Sequence, residues 1–163
     1  MKKNLRTSLF TIISLSTIFF ISCMPSQKEL EEEEQAEIQS YISENPNINF
    51  EQKESGLYYC EVTPGTGPSP SLYDTIYVSY TGNFLNGYVF DTNVGGNYFV
   101  YPFGEGWVID GFDEGISYMK EGGEALFLIP SKLGYGPSGY NGIPGYKPLL
   151  FEVTLVKIGV SSK

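Results

Sequence analysis

Histidine is absent from all 163 residues. Without an imidazole the chain has no side chain that ordinarily titrates near neutral pH, and no nucleophile paired with a histidine base. Cysteine occurs only at Cys23 and Cys60, so there is no Cys cluster. A zinc or copper site is therefore not expected, and no cofactor is either. Basic residues are scarce, ten against nineteen acidic ones, for a net charge of −9. That balance argues against nucleic acid as a partner and against peripheral binding to anionic lipid. Long apolar runs are missing as well. The stretch SLFTIISLSTIFFIS, Ser8 to Ser22, falls short of the about 20 apolar residues a spanning helix needs.

What is present points outward from the cytoplasm. Lys2, Lys3 and Arg6 precede that apolar stretch, and Ser22-Cys23 follows it. A basic start, a short apolar run and a small residue before a cysteine resemble a bacterial lipoprotein signal, with Phe20 where leucine is usual. Residues 1–22 are expected to be removed and Cys23 to carry the lipid. The remaining chain then has a net charge of −12, and membrane attachment must come from acyl chains. The expected location is the bacterial cell envelope, anchored at the outer membrane. Cys60 is left alone in LYYCEV, Leu57 to Val62, and is expected to be a small buried hydrophobe.

Residues 23–54 carry nine Glu against two Lys. Ser26 and Glu29 fit a capping box, Ile38, Tyr41 and Ile42 give a narrow apolar stripe, and Asn45-Pro46 ends the pattern. The expectation is a solvated, partly helical stalk, with a dimerisation helix as the alternative and the oligomeric state open. From Ser55 the texture becomes short β-like runs separated by turns, among them TIYVSYTGNF with the hairpin signal Asn86-Gly87. Ile109, Phe112, Ile116 and Met119 lie on one face of a short helix that Gly122-Gly123 closes. Strands around one helix, with 13 Tyr, 11 Phe and 19 Gly in the chain, predict an α+β domain over residues 55–163.

The pieces SGLYY…GTG, VSYTG, NGYVFD, FGEGWVIDGFDEGI, FLIPSKLGYG and GIPGYKPLLFEVTLVKI occur in this order between Ser55 and Ile158. In them the chain resembles the FKBP-type peptidyl-prolyl cis/trans isomerases. The resemblance implies an antiparallel β-sheet curled around one short α-helix, with an apolar pocket between them. It implies pocket walls at Tyr80, Phe90, Phe99, Val108, Ile109, Ile143 and Phe151 and a floor at Phe112, with Tyr101 as an alternative to Phe99. It places Asp91 and Tyr135 at the rim and Tyr140 in an overhanging loop. Proline-containing polypeptides are the implied substrates, and a macrolide is a possible ligand. The chain departs from the family where Phe112 replaces the usual Trp, where bulky Trp107 precedes Val108, and where Gly145 replaces a proline.

Three functions stay open at this level. One is an active isomerase that helps exported proteins fold. Another is a weak or inactive domain of this kind that binds proline-containing segments or a partner. The third is an aromatic-rich glycan-binding lipoprotein, which would need its rings exposed in a row.

Overall fold

The computed structural model describes residues 25–159. The signal peptide and the lipidation expected at Cys23 lie outside those residues. The described chain begins with helix α1 (Gln27–Glu44), followed by strands β1 (Glu51–Gln52), β2 (Tyr58–Thr63), β3 (Thr75–Phe84), β4 (Val89–Thr92) and β5 (Phe99–Pro102). Helix α2 (Asp110–Ser117), β6 (Glu124–Ile129), a single 3₁₀ turn (Ser131–Leu133) and β7 (Leu149–Gly159) complete it. The strands form one seven-stranded antiparallel sheet in the order β1-β2-β6-β7-β3-β4. Strand β5 pairs with the first half of β3, beside the stretch that β4 pairs. Among the described residues no helix is long and apolar enough to cross a membrane.

Alternation decides which face each strand buries. In β6, Ala125, Phe127 and Ile129 point to the concave face, while Leu126 and Leu128 point to the convex one. Strand β7 repeats the pattern, with Leu149, Phe151, Val153 and Leu155 inside and Leu150 outside. A bulge opposite Tyr77 and Val78 shifts the register, so that Ile158 returns to the inner face three residues after Leu155.

The concave face wraps α2. Phe112 and Ile116 are buried against it, as the helical spacing predicts, but the helix is shorter than expected. Ile109 is its half-buried N-cap, Tyr118 ends it before Gly122-Gly123, and Met119 is buried just beyond. The helix lies unusually near the sheet at Gly115, where a Cβ would stand 2.7 Å from the Phe127 ring. An alanine there would force the helix away from β6. Cys60 is buried, as its place in β2 predicts.

The convex face corrects the sequence reading. Residues 23–54 were expected to be a solvated stalk, yet α1 lies on this face. Its capping box forms as predicted, with Ser26 and Glu29 bonded to each other's backbone. Ile38 is then fully buried among Tyr58, Leu128 and Leu150, with Tyr41, Ile42 and Phe50 beside it. The hydroxyl of Tyr58 accepts from Gln35 and Gln39, each at 3.2 Å. The apolar stripe is short, and part of the grip is polar, with partners far along the chain. That is why the helix reads as solvated in the sequence. The ordered region also starts before Ser55, because β1 already pairs with β2.

Ile38→Ala tests this docking. Removal of a fully buried isoleucine is expected to cost about 2–5 kcal/mol of unfolding free energy. A change of a few tenths in chemical denaturation would show that α1 does not rest on the sheet.

Candidate active site

Between α2 and the curled sheet lies a cavity of about 240 Å³. Phe112 enters it from the first turn of α2, and Tyr80 and Phe151 enter from neighbouring strands, β3 and β7. Phe90 and Asp91 come from β4, and Phe99 from β5. Val108 and Ile109 come from the segment leading into α2, and Tyr135 from the loop after β6. Nine of the ten residues expected at the site thus line one cavity. The tenth, Ile143, lines an adjoining space of about 450 Å³, which it shares with Phe90, Asp91 and Tyr135.

Phe112 meets four rings edge-on. Their centroids stand at 5.2 Å (Phe151), 5.7 Å (Phe127), 5.9 Å (Tyr80) and 6.4 Å (Tyr101). Such contacts favour the partial positive ring edge against the negative ring face. Phe90 stands nearly perpendicular to Phe151 at 5.6 Å. It passes across β3 at Gly82, where a Cβ would come within 2.6 Å of its ring. Any side chain at Gly82 would push Phe90 out of the wall.

Phe99 lines the cavity, whereas Tyr101 is buried behind it, stacked on Phe99 at 5.5 Å. The Tyr101 hydroxyl donates to Asp113 at 3.2 Å, and the same carboxylate accepts from the Gly104 N–H at 3.0 Å. Burial raises the Asp113 carboxyl above its usual range, against the opposing effect of those two bonds.

Polar groups around the cavity are few. Asp91 is the one carboxylate in its lining and accepts from the Tyr80 hydroxyl at 2.5 Å. Burial raises the Tyr80 phenol well above its ordinary value, and the bond and charge of Asp91 raise it further. The Tyr135 phenol is raised by burial first, then by Asp91 and Tyr140. Its hydroxyl has no hydrogen-bond partner among the described residues, and neither has the N–H of Ile109, the residue that caps α2. These two donors, with the exposed Trp107 indole N–H, stand unclaimed beside a mainly aromatic cavity. The lining has no thiol or amine, its hydroxyl–carboxylate pair is a phenol held neutral beside Asp91, and with one acid it offers little to a metal. It suits a reaction without covalent or proton-transfer steps.

The sequence reading passed over some of the wall. Trp107, noted only as a bulky departure, lines the cavity while 67% exposed. Phe84 and Tyr88, stacked on each other, border the adjoining space together with Tyr140 of the overhanging loop, which stacks on Tyr135. The alternation of Tyr88 with Phe90 was the available signal.

A model of the FKBP-type peptidyl-prolyl cis-trans isomerases matches residues 67–156. FK506-binding protein 1 of Gibberella zeae is 43% identical over 104 residues, covering 60% of this chain and 94% of that protein. FK506-binding protein 4 of Emericella nidulans is 44% identical over 94 residues, 58% of this chain and 20% of that one. Several curated relatives are much longer, and the chain spans only 20–28% of their length. The crystal structure of a peptidyl-prolyl cis-trans isomerase from Pseudomonas syringae superposes with a TM-score of 0.69 at 26% identity. That match covers 84% of this chain and 99% of the other.

The buried phenols make a prediction at alkaline pH. Tyr59 is raised to about 12, chiefly by burial, and Tyr80 and Tyr101 are raised further. The folded protein keeps protons that the unfolded chain releases near pH 10. These phenols therefore contribute stability that is complete below about pH 10 and is lost as pH rises through their folded values. Phenolate absorbance should show an early step from exposed tyrosines and a late step that coincides with unfolding. Tyr80→Phe should shrink only the late step. A single step near pH 10 would contradict the buried geometry.

Proposed function

Because the chain belongs to the FKBP-type peptidyl-prolyl cis-trans isomerases, we propose that it rotates X–Pro bonds in the cavity over Phe112. The observation that carries this reading is an aromatic cavity bordered by two unclaimed donors, the Ile109 N–H and the Tyr135 hydroxyl.

Rotation about an X–Pro amide breaks no bond. Its obstacle is lost resonance, a barrier of about 18–20 kcal/mol, and the uncatalysed step takes tens to hundreds of seconds. A turnover of roughly 10³ s⁻¹ requires about 10⁵-fold acceleration, or about 7 kcal/mol. The twisted amide separates less charge than the planar one. An apolar, water-poor wall of Tyr80, Phe99, Phe112 and Phe151 therefore penalises the planar state more. The proline ring lies on Phe112, and the two donors hold substrate carbonyls so that one side of the amide turns against a fixed other side. FK506, for which the fungal relatives are named, should compete for the same cavity.

The proposal extends to location. Cys23 carries lipid, the protein is anchored at an envelope membrane, outside the cytoplasm, and its clients are exported polypeptides with X–Pro bonds. The basic start, the apolar run and Ser22-Cys23 support this reading. Cys23→Ser is expected to leave an unprocessed precursor without radiolabelled palmitate. Normal incorporation in that variant would remove the lipid from the proposal.

Phe112→Leu tests the cavity itself. Leucine keeps the position apolar but removes the flat ring. In a peptide isomerisation assay the wild type should be active, and the variant should lose several-fold in kcat/KM, about 1 kcal/mol of transition-state stabilisation. Near-ultraviolet circular dichroism checks that the core is intact. A folded variant at the wild-type rate would make Phe112 a packing residue and move the proline elsewhere.

A further inference from the structure

The loop that carries Tyr135 and Ile143 leaves the sheet at Ser131 and returns after Lys147, and α1 grips it at both ends. At the start, Glu34 accepts from the Ser131 N–H at 2.5 Å and from its hydroxyl at 2.7 Å. At the end, Lys147 Nζ reaches the two Glu37 oxygens at 2.7 and 2.8 Å. Glu34 and Glu37 stand one turn apart on α1. Glu34 and Ser131 are only 8% and 5% exposed. A buried carboxylate is costly unless it is well bonded, so these bonds fix geometry as well as hold the helix.

The connection continues into the site. The Ser131 carbonyl accepts from the N–H groups of Gly134, at 2.9 Å, and Gly136, at 2.8 Å. Those two residues flank Tyr135. The backbone that aims the Tyr135 ring is thus tied to Ser131, and both donor groups of Ser131 are tied to Glu34. Glycines at 134, 136, 139, 142 and 145 leave the loop little stiffness of its own.

We propose that Glu34 is a positioning residue for the isomerisation, acting through Ser131 to hold the Tyr135 hydroxyl at the cavity rim. The role rests on the function proposed above. It makes α1, on the convex face, part of the machinery that sets the rate.

A residue that only fastens the helix would change stability without coupling to Tyr135, so a double-mutant cycle separates the two roles. The variants are Glu34→Ala, Tyr135→Phe and both together, assayed for kcat/KM below their melting temperatures. Each single variant should fall by about fivefold, the effect of one misplaced hydrogen bond. The double variant should fall no further than Tyr135→Phe alone. Glu34→Gln, which can still accept from the Ser131 N–H, should recover most of the loss. In hydrogen exchange, Gly134 and Gly136 amides should open faster in Glu34→Ala. If Glu34→Ala fails to fold, Ser131→Ala is the milder break for the same cycle.

Wild-type kcat/KM in folded Glu34→Ala would overturn the role, and so would multiplicative losses in the double variant. A Tyr135→Phe protein at the wild-type rate would overturn it too, since the clamp would have nothing to position. An inactive wild type would instead strike the proposed function, and this role with it.

Discussion

One aromatic ring ties the core to the cavity. Phe112 is held edge-on by Phe127, Phe151, Tyr80 and Tyr101, from four different strands. Its lower contacts are with the inner core, and its upper contacts, Tyr80 and Phe151, are themselves cavity wall. The same packing that holds α2 on the sheet therefore fixes the floor of the site. Aromatic pairs contribute about 0.5–1.5 kcal/mol beyond simple burial, and their geometry is specific. A ring constrained from four sides has little freedom to tilt, so the floor is rigid before anything binds.

Polar groups are arranged to support that wall. Tyr80 spends its hydroxyl on Asp91, and Tyr101 spends its own on Asp113. Both phenols stay neutral and both rings stay oriented. Donors left unclaimed include the Ile109 N–H and the Tyr135 hydroxyl. An apolar interior with donors at its edge can orient a polypeptide by its carbonyls while keeping water from the amide that must turn. Chemistry of that kind has no need of the histidine the chain lacks.

Much of this arrangement is legible in the sequence, for identifiable reasons. The α2 face repeats every three to four residues, and the inward residues of β6 and β7 alternate, so local period reveals both. The hairpin at Asn86-Gly87 is a matter of backbone chemistry. The wall residues at Tyr80, Phe90, Phe112 and Phe151 become visible as a group only through the order of the motifs, because each alone also reads as core. The placement of α1 is not legible. Its burial depends on Glu34 meeting Ser131 and Glu37 meeting Lys147, about a hundred residues away, and no local pattern carries such contacts. An acidic run with a short apolar stripe looks solvated until its partners are placed. Ile143 illustrates a similar limit. Its motif is clear, but a glycine-rich loop decides which of two adjoining spaces it enters.

The glycine-rich loop also explains why a helix on the far face matters to the cavity. Ordering the backbone costs about 1–2 kcal/mol per residue, more for glycine, and here Gly136, Gly139 and Gly142 all adopt positive φ. Few strand hydrogen bonds are available to offset that cost, since the loop has only the isolated Tyr140–Ile143 bridge and a handful of turn bonds. Anchoring its two ends is the economical way to restrict it, because fixing the ends removes most of the conformations the middle could explore. The sheet cannot do this from its concave face, where the cavity must stay open. A helix on the convex face can, by reaching the loop where it leaves β6 and where it approaches β7. The acidic character of α1 is what lets it do so, through carboxylates that meet a hydroxyl, a backbone N–H and an ammonium. A segment that reads as solvent-facing charge thus holds in place the loop that completes the site.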